Sequence, residues 1–379
     1  MDFELNMKQA VIRRTARKYA EKRLTAAAVE MDRTGTFPLN IAEEMGKLNY
    51  FGLEIPTKYQ GAGLDPLSYA IVVEEVSRVN SAMGLCIAVH NGVSAAPIYQ
   101  YGNKDQHQEF LVPMATGIKI GTFCLTEPNA GSDPSSIEST AIRVGDEYIL
   151  NGNKMFVTNG GISGINLIFA KLQQGKMKGR LTAFIVESDR PGLKKGVSED
   201  LMGNRGNPVC PISFYDCHIP AINRLGKEGE GFKIAIETLR GGRIGIASQA
   251  LGIAQAAFDL SLKYSRERYQ FGKPIASFGA IQNFLADMAT DIEAARLLIY
   301  RTCNLRGKGM EHLKESAMAK MFASEVAVKT TKIGVQIHGG YGYTKSYTIE
   351  RLYRDAKICE IYEGSSEIQR IVIANNLIN

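Results

Sequence analysis

The sequence predicts a multidomain α and β protein: an N-terminal helical domain, a central small β-barrel or sandwich domain, and a C-terminal four-helix-type bundle. Three observations carry that reading. Helical periodicity runs from residue 3 to about 118, Gly- and Pro-punctuated strand-type segments fill 117–231, and helical periodicity returns from 232 to the C-terminus. The expected domains are 1–119, 120–231 and 232–379. For a chain of 379 residues, two or three domains follow from about 150 residues per domain.

Residues 6–31 mix Ala, Lys, Arg and Glu with spaced apolar positions, which reads as a helix. Pro38 followed by Ile41, Met45 and Leu48 starts a second helix that ends near Gly52. Gly61 and Gly63 make 56–65 a loop. Two helices follow at 66–78 and 81–100, the latter nearly all apolar and therefore buried, then a short one at 105–116. In the central zone, Ile165–Ala170 and Leu181–Val186 are strand-type runs. Tyr148-Ile149-Leu150 reads as a strand, Asn151-Gly152-Asn153 as a turn, and Lys154–Thr158 as the returning strand. Helical spacing then covers 232–266, 277–305, 311–335 and 365–378. The small residues Gly245, Ala247, Ala250, Gly252, Ala254 and Ala257 imply close helix–helix contact.

Hydrophobic residues make up 45% of the chain and charged residues 22%, an ordinary globular balance. The formal charge of +6 is not gathered into a dense basic run, which argues against a nucleic-acid partner. Six scattered cysteines without a C-x-x-C pair, and only five histidines, point to a reduced compartment and no metal site. Met1-Asp2-Phe3-Glu4-Leu5 has no basic stretch followed by an apolar one, so no secretory signal is expected. No uncharged apolar run reads as long enough to span a bilayer. The default compartment is the cytoplasm, or the mitochondrial matrix for a chain that has lost a transit peptide.

Neither a G-x-G-x-x-G turn nor a P-loop is present, which removes the usual support for nicotinamide or nucleotide-phosphate chemistry. Phe123-Cys124-Leu125-Thr126-Glu127-Pro128-Asn129-Ala130-Gly131-Ser132-Asp133-Pro134 offers small hydroxylated residues and glycines, suited to a ring edge or an anion, or to a plain interdomain loop. Phe156 and Thr158, two apart on a strand, can pack on and hydrogen-bond to a planar group, or Phe156 is simply core. Arg268 and Phe271 can clamp a diphosphate and an adenine, or lie on a solvated helix end stopped by Gly272-Lys273-Pro274. His338-Gly339-Gly340-Tyr341-Gly342 either lets a ligand approach the backbone or ends a helix. Tyr362-Glu363-Gly364-Ser365-Ser366-Glu367-Ile368-Gln369-Arg370 sets a carboxylate beside a glycine ahead of an apolar helix, a place for a base or for a helix cap.

Taken together and in register, the stretches Phe123–Pro134, Phe156–Asn159, Arg266–Pro274, Gln336–Gly342 and Tyr353–Arg370 resemble the acyl-CoA dehydrogenase family across the whole chain. Gly242-Arg243-Ile244-Gly245-Ile246-Ala247 is most similar to the short-chain, butyryl-CoA branch. The resemblance implies FAD-dependent α,β-dehydrogenation of a short-chain acyl-CoA to trans-2-enoyl-CoA. Glu363 would remove the α proton and flavin N5 would accept the β hydride. It further implies electron-transfer flavoprotein as partner and a homo-oligomer, a tetramer built as a dimer of dimers, with FAD sites shared between subunits. By the same resemblance Leu125, Thr126, Ser132, Phe156, Thr158, Arg268, Phe271, Gln282, Gln336, Gly339, Gly340, Ser365 and Glu367 would hold FAD. Ser132, Arg240, Arg243, Tyr362 and Gly364 would meet substrate. Phe156 stands where the family usually has tryptophan, and Arg240 where short- and medium-chain relatives tend to have aspartate. Gly242 removes the position at which some relatives carry their base. Asn80 replaces the arginine with which glutaryl-CoA dehydrogenases meet a distal carboxylate. The alternatives are a medium- or branched-chain acyl-CoA substrate, or a flavin-binding scaffold or redox-partner protein without turnover.

Overall fold

The computed structural model describes residues 4–378; Met1, Asp2 and Phe3 of the opening stretch, and Asn379, lie outside them. The N-terminal helices are α1 (Met7–Tyr19), α2 (Thr25–Thr34), α3 (Leu39–Lys47), α4 (Pro66–Ser77), α5 (Ser81–Val89), α6 (Ala96–Tyr101), α7 (Lys104–Gln106) and α8 (Val112–Ala115). Asn6 caps α1 with a reciprocal capping box to Gln9, and Asp65 caps α4 ahead of Pro66. Wide π-helical turns at Ala20–Leu24, His90–Ala95 and His107–Leu111 join successive helices. Ser81–Tyr101 is therefore one helical run, long and apolar enough to cross a membrane by length and composition. This corrects the expected absence of such a run. Its apolar window is 94% buried within the protein, the position of a core helix.

The central zone forms one mixed sheet. Its strands are β1 (Ile120–Cys124), β2 (Thr140–Val144), β3 (Glu147–Val157), β4 (Ser163–Leu172), β5 (Leu181–Glu187), β6 (Leu193–Lys195), β7 (Cys210–Pro220) and β8 (Arg224–Leu225). They lie in the order β6-β7-β3-β2-β4-β5-β8, with β1 pairing in parallel with the start of β4. Alternation along β4 and β5 sends Ile165, Leu167, Phe169 and Ile185 to a core shared with the N-terminal helices. Ile168, Ala170, Phe184 and Val186 go to a second core with β3 and β7. The sheet curls over that second core and does not close, so the expected barrel or sandwich is replaced by an open eight-stranded sheet. The expected turn at Asn151-Gly152-Asn153 is absent: β3 runs straight through it. The register with β7 slips between Leu150 and Gly152, and a Cβ on Gly152 would lie 2.2 Å from Ser139 Oγ. Gly152 thus serves a bulge and a close approach, and the hairpin turn falls at Gly145-Asp146, between β2 and β3.

The C-terminal part contains α9 (Gly231–Glu267), a two-strand ribbon of β9 (Tyr269–Gln270) and β10 (Lys273–Pro274), α10 (Gly279–Gly307), α11 (Leu313–His338), α12 (Thr348–Lys357) and α13 (Ser366–Ile378). The sequence reading had no helix at 348–357. Close packing of α9 follows from its glycines: a Cβ on Gly252 would lie 2.4 Å from the Glu74 carbonyl oxygen of α4. One hydrophobic core runs from α1 through α4 and α5 to α9, α10, α11 and α12, so the N- and C-terminal helices share a single interior.

A polar junction ties the three regions together. Arg354 of α12 grips both Asp32 carboxylate oxygens at 2.7 Å and donates to the Met202 carbonyl at 3.1 Å. The adjacent Asp355 carboxylate accepts the Asn204 N–H at 2.6 Å. Asn204 in turn accepts from Gln249 of α9 at 3.3 Å, and the Tyr362 hydroxyl donates to the Gln249 amide oxygen.

Candidate active site

Glu363 sits in the turn between α12 and α13 with φ of 50°, followed by Gly364 at 90°. A non-glycine residue in the left-handed region carries strain that the surroundings must hold. Two buried side chains do so. Gln369 of α13 donates its amide to the Glu363 carbonyl at 3.2 Å and to the Gly364 carbonyl at 2.8 Å. Lys320 of α11, fully buried, donates its ammonium to the same Gly364 carbonyl at 2.7 Å. The cap of α13 is Ser365, whose hydroxyl accepts the Ile368 N–H at 3.4 Å. Glu363 is therefore not a helix cap.

Both Glu363 carboxylate oxygens are buried without a hydrogen-bond partner among the described residues. Burial pushes the carboxyl up to about 7, against the opposing pull of Lys320 and then Arg243. The carboxylate lies against α9 and the π turn at His90–Ala95. A Cβ on Gly242 would fall 2.4 Å from Glu363 Oε2 and 2.4 Å from Val93 Cγ1. Gly242 is thus the clearance that lets the carboxylate approach α9. The next residue of α9, Arg243, is buried, with Nε and Nη1 unpaired among the described residues. The Glu363 N–H makes no hydrogen bond among the described residues.

A cavity of about 360 Å³ reaches Gly241, the neighbour of Gly242, without being lined by Glu363; Gly92, Thr238, Arg240 and Glu311 are among its walls. Arg240 Nη1 binds both carboxylate oxygens of Glu311, at 2.7 and 2.8 Å, and this guanidinium, with backbone N–H donors, holds Glu311 down at about 2. The expected cationic residue therefore arrives with a carboxylate partner that the sequence reading did not find.

The other expected residues form two further groups. In the first, Met155 N–H donates to the Thr126 carbonyl at 2.9 Å, joining the Phe123–Pro134 loop to the end of β3. Behind it Lys154, fully buried, binds Glu127 at 2.6 Å and the Leu125 carbonyl at 3.3 Å. Leu125 is buried, Thr126 and Thr158 are half-buried, and Ser132 is exposed. Phe156 has φ of 53° at a bulge and is 62% exposed. It is not core.

In the second group, Arg268, Gly339 and Gly340 line one cavity of about 530 Å³ with Tyr264, His338 and Tyr341. Phe271, at the tip of the β9–β10 ribbon, is 93% exposed, and Gln282 and Gln336 are exposed nearby in sequence on α10 and α11. Ser365 and Glu367 belong to the start of α13, with Glu367 exposed. No hydrogen bond or ion pair among the described residues joins these two groups to each other or to Glu363. Within the described residues, no three His, Cys, Asp or Glu side chains are gathered as a metal site.

Family models for the acyl-CoA dehydrogenase N-terminal, middle and C-terminal domains match residues 6–118, 122–217 and 229–378. The chain belongs to the acyl-CoA dehydrogenase family. It is 43% identical over 377 residues to the short-chain specific acyl-CoA dehydrogenase of Clostridium acetobutylicum, covering 100% of both. Butyryl-CoA dehydrogenase from Megasphaera elsdenii superposes with a TM-score of 0.97 at 42% identity, again over 100% of both chains. A chain from a structure concerning the electron transferring flavoprotein of Acidaminococcus fermentans superposes with a TM-score of 0.98 at 45% identity and 100% coverage of both.

Acyl-CoA dehydrogenases are FAD-dependent, and the residues present here fit that group. An aromatic ring is held outward on a left-handed backbone at Phe156, next to the Thr126 loop. Open glycines at Gly339 and Gly340, where an added Cβ would meet nothing within 4 Å, share a cavity with the Arg268 guanidinium. The first arrangement suits a flat ring system and the second a phosphate.

Sequence reasoning missed Lys320, Gln369 and Gln249. For Lys320 a signal existed, a lone lysine on the apolar face of Ala317-Met318-Ala319-Lys320-Met321-Phe322-Ala323. In this acyl-CoA dehydrogenase, Lys320→Met is expected to move the ascending limb of the kcat–pH profile upward by about one unit, a roughly tenfold loss at a pH below the midpoint. The cation that opposes the rise in the Glu363 pKa is gone, while Arg243 remains. Lys320→Arg should return part of the shift. An unmoved limb would leave Lys320 as packing only.

Proposed function

We propose that this chain oxidises a short-chain acyl-CoA thioester to the trans-2-enoyl-CoA, with Glu363 as the base. The observation that carries the reading is the Glu363 carboxylate itself: buried, unpaired and raised to about 7. A carboxyl poised near neutrality is a far better base toward a weak carbon acid than one at the ordinary 4.3 or so. Ionised Glu363 takes the α proton. As it does so, negative charge spreads onto the thioester carbonyl oxygen. The unpaired Glu363 N–H is available to receive that charge. Gly242 and Val93, packed at the carboxylate, keep water from it. FAD, when bound, supplies the two-electron acceptor that the oxidation requires.

Leu125, Thr126, Ser132, Phe156 and Thr158 are assigned to the flavin side of the cofactor. Arg268, Phe271, Gln282, Gln336, Gly339 and Gly340 are assigned to its nucleotide half, and Ser365 and Glu367 to the turn beside it. Tyr362 and Gly364 flank the base, Arg243 backs the reacting end of the substrate, and Arg240, with Glu311, faces its nucleotide end.

Electron-transfer flavoprotein is the proposed oxidant of the reduced enzyme, in line with the Acidaminococcus fermentans neighbour. A homotetramer with shared cofactor sites is also proposed. Phe271 at 93% exposure and Tyr343 at 90%, at the rim of the Arg268 cavity, support a second chain covering them.

The test is an anaerobic titration of the FAD-loaded protein with butyryl-CoA. Bleaching of the visible flavin band at about one equivalent is expected. A band unchanged by straight or branched acyl-CoAs would end the reading and leave a flavin-binding scaffold.

A further inference from the structure

The residues assigned to the flavin ring stand on a clamp that lies behind them. Two successive residues of β3 hold three successive residues of the Phe123–Pro134 loop. Lys154 Nζ donates to the Leu125 carbonyl at 3.3 Å, and the Met155 N–H donates to the Thr126 carbonyl at 2.9 Å. Lys154 Nζ then meets Glu127 Oε1 at 2.6 Å. The Glu127 carboxylate also closes the far end of the loop. It accepts the Glu138 N–H at 2.6 Å and the Ser139 N–H at 3.1 Å. One ammonium thus ties the start of the loop, and its counter-ion ties the end.

In front of this clamp the side chains are open. Residues two apart on a regular strand face the same way. The bulge between Lys154 and Val157, with its positive φ at Phe156, breaks that rule. Lys154 therefore points inward, with its side chain fully buried, while Phe156 points outward. The hydroxyls of Thr126 and Thr158, either side of that ring in the fold of the loop and strand, make no hydrogen bond among the described residues. Their backbone is fixed from behind and their polar ends are left for a ligand.

A buried ammonium–carboxylate pair adds little stability over apolar side chains of the same volume, because desolvation offsets most of the attraction. What such a pair can fix is geometry, and a site group is held only as well as the groups that support it. We infer that Lys154 is a positioning residue for the flavin. With Glu127 as counter-ion it locks the 125–127 segment onto β3, so that Thr126, Phe156 and Thr158 form one preset face for the ring system. The inference rests on the flavin-side assignment of those three residues and adds the buried group that sets their spacing.

The experiment measures FAD dissociation from the holoenzyme, the visible flavin spectrum, and kcat and KM for butyryl-CoA at saturating FAD. Lys154→Met is expected to weaken FAD binding by at least ~10-fold, the equivalent of one charge-assisted hydrogen bond. The flavin band should lose resolution as the ring is held less firmly. With FAD saturating, kcat should fall by about 10-fold while KM stays within about 2-fold, as for a misplaced reacting group. The double variant Lys154→Met/Glu127→Gln removes both charges and keeps a carbonyl oxygen for the Glu138 and Ser139 N–H groups. Its melting temperature should return toward the parent, while FAD affinity and spectrum stay altered. Recovery of FAD affinity together with melting temperature would make the pair structural only and overturn the inference. So would a folded Lys154→Met with parental FAD affinity, spectrum and kcat. If Lys154→Met does not fold, the double variant is read in its place, and parental FAD binding there overturns the inference. Parental FAD binding in both Phe156→Ala and Thr126→Val would fail the flavin-side assignment, and the inference with it, a result separate from any at Lys154.

Discussion

Glu363→Gln is expected to lower kcat for butyryl-CoA oxidation by at least ~10³-fold, within the range that a positioned general base contributes. The amide is isosteric, so FAD and acyl-CoA should still bind. A second consequence follows from the raised pKa. Glu363 titrates at about 7 in the folded protein and near 4.3 in the unfolded chain. Between those values the folded state holds the extra proton, so the contribution of this residue to stability falls as pH rises through the window. The cost of keeping the carboxylate ionised above it is roughly 4 kcal/mol. Glu363→Gln should therefore be more stable than the parent at pH 8 and close to it at pH 4. Thermal melts at the two pH values, alongside anaerobic flavin reduction, measure both effects. Near-normal flavin reduction in the variant would remove Glu363 from the chemistry.

Gly242→Ala should cost about 10²-fold in kcat with FAD still bound. The added Cβ falls 2.4 Å from both Glu363 Oε2 and Val93 Cγ1. Val93 is buried and β-branched, stiff at χ1. The carboxylate is the softer neighbour and gives way. A displacement of about 1 Å at a reacting group is enough for a 10²-fold loss. Moving the carboxylate away from α9 also changes how deeply it is buried, so the ascending limb of the pH profile should fall below 7. A variant with parental kcat and an unmoved limb would show that the base does not lie where the glycine makes room for it.

Sequence alone located much of this. The carboxylate–glycine pair at 363–364 read as a base or as a helix cap, and it was the resemblance to the acyl-CoA dehydrogenases that singled out the base. Long amphipathic or apolar runs marked α4, α5, α9, α10 and α11 because their burial is periodic. What escaped detection depends on contacts distant in the chain. Lys320 lies 44 residues from the Gly364 carbonyl it holds, and no local pattern couples the two. The left-handed φ at Glu363 is imposed by Lys320 and Gln369 and has no signature in the residue type. Asn151-Gly152-Asn153 looked like a turn because its composition is that of one. Its glycine is there for Ser139, a neighbour brought by the sheet. The helix at Thr348–Lys357 buries only Ile349, Leu352, Asp355 and Ala356, and its polar remainder hid it. Arg240 was expected to meet substrate, and its carboxylate partner went unseen because Glu311 reaches it only when the α10–α11 loop folds back over α9.

The chain of hydrogen bonds from Asp32 and Asn204 through Gln249 to Tyr362 gives sequence variants an unexpected geography. In a genetic survey, a substitution at Asp32 would be filed as a harmless outer-helix change. Yet it loosens the clasp on Arg354, whose neighbour Asp355 holds Asn204, and so reaches the residue that precedes the base. Damage of that kind would surface as a sluggish enzyme well before it surfaced as a missing one.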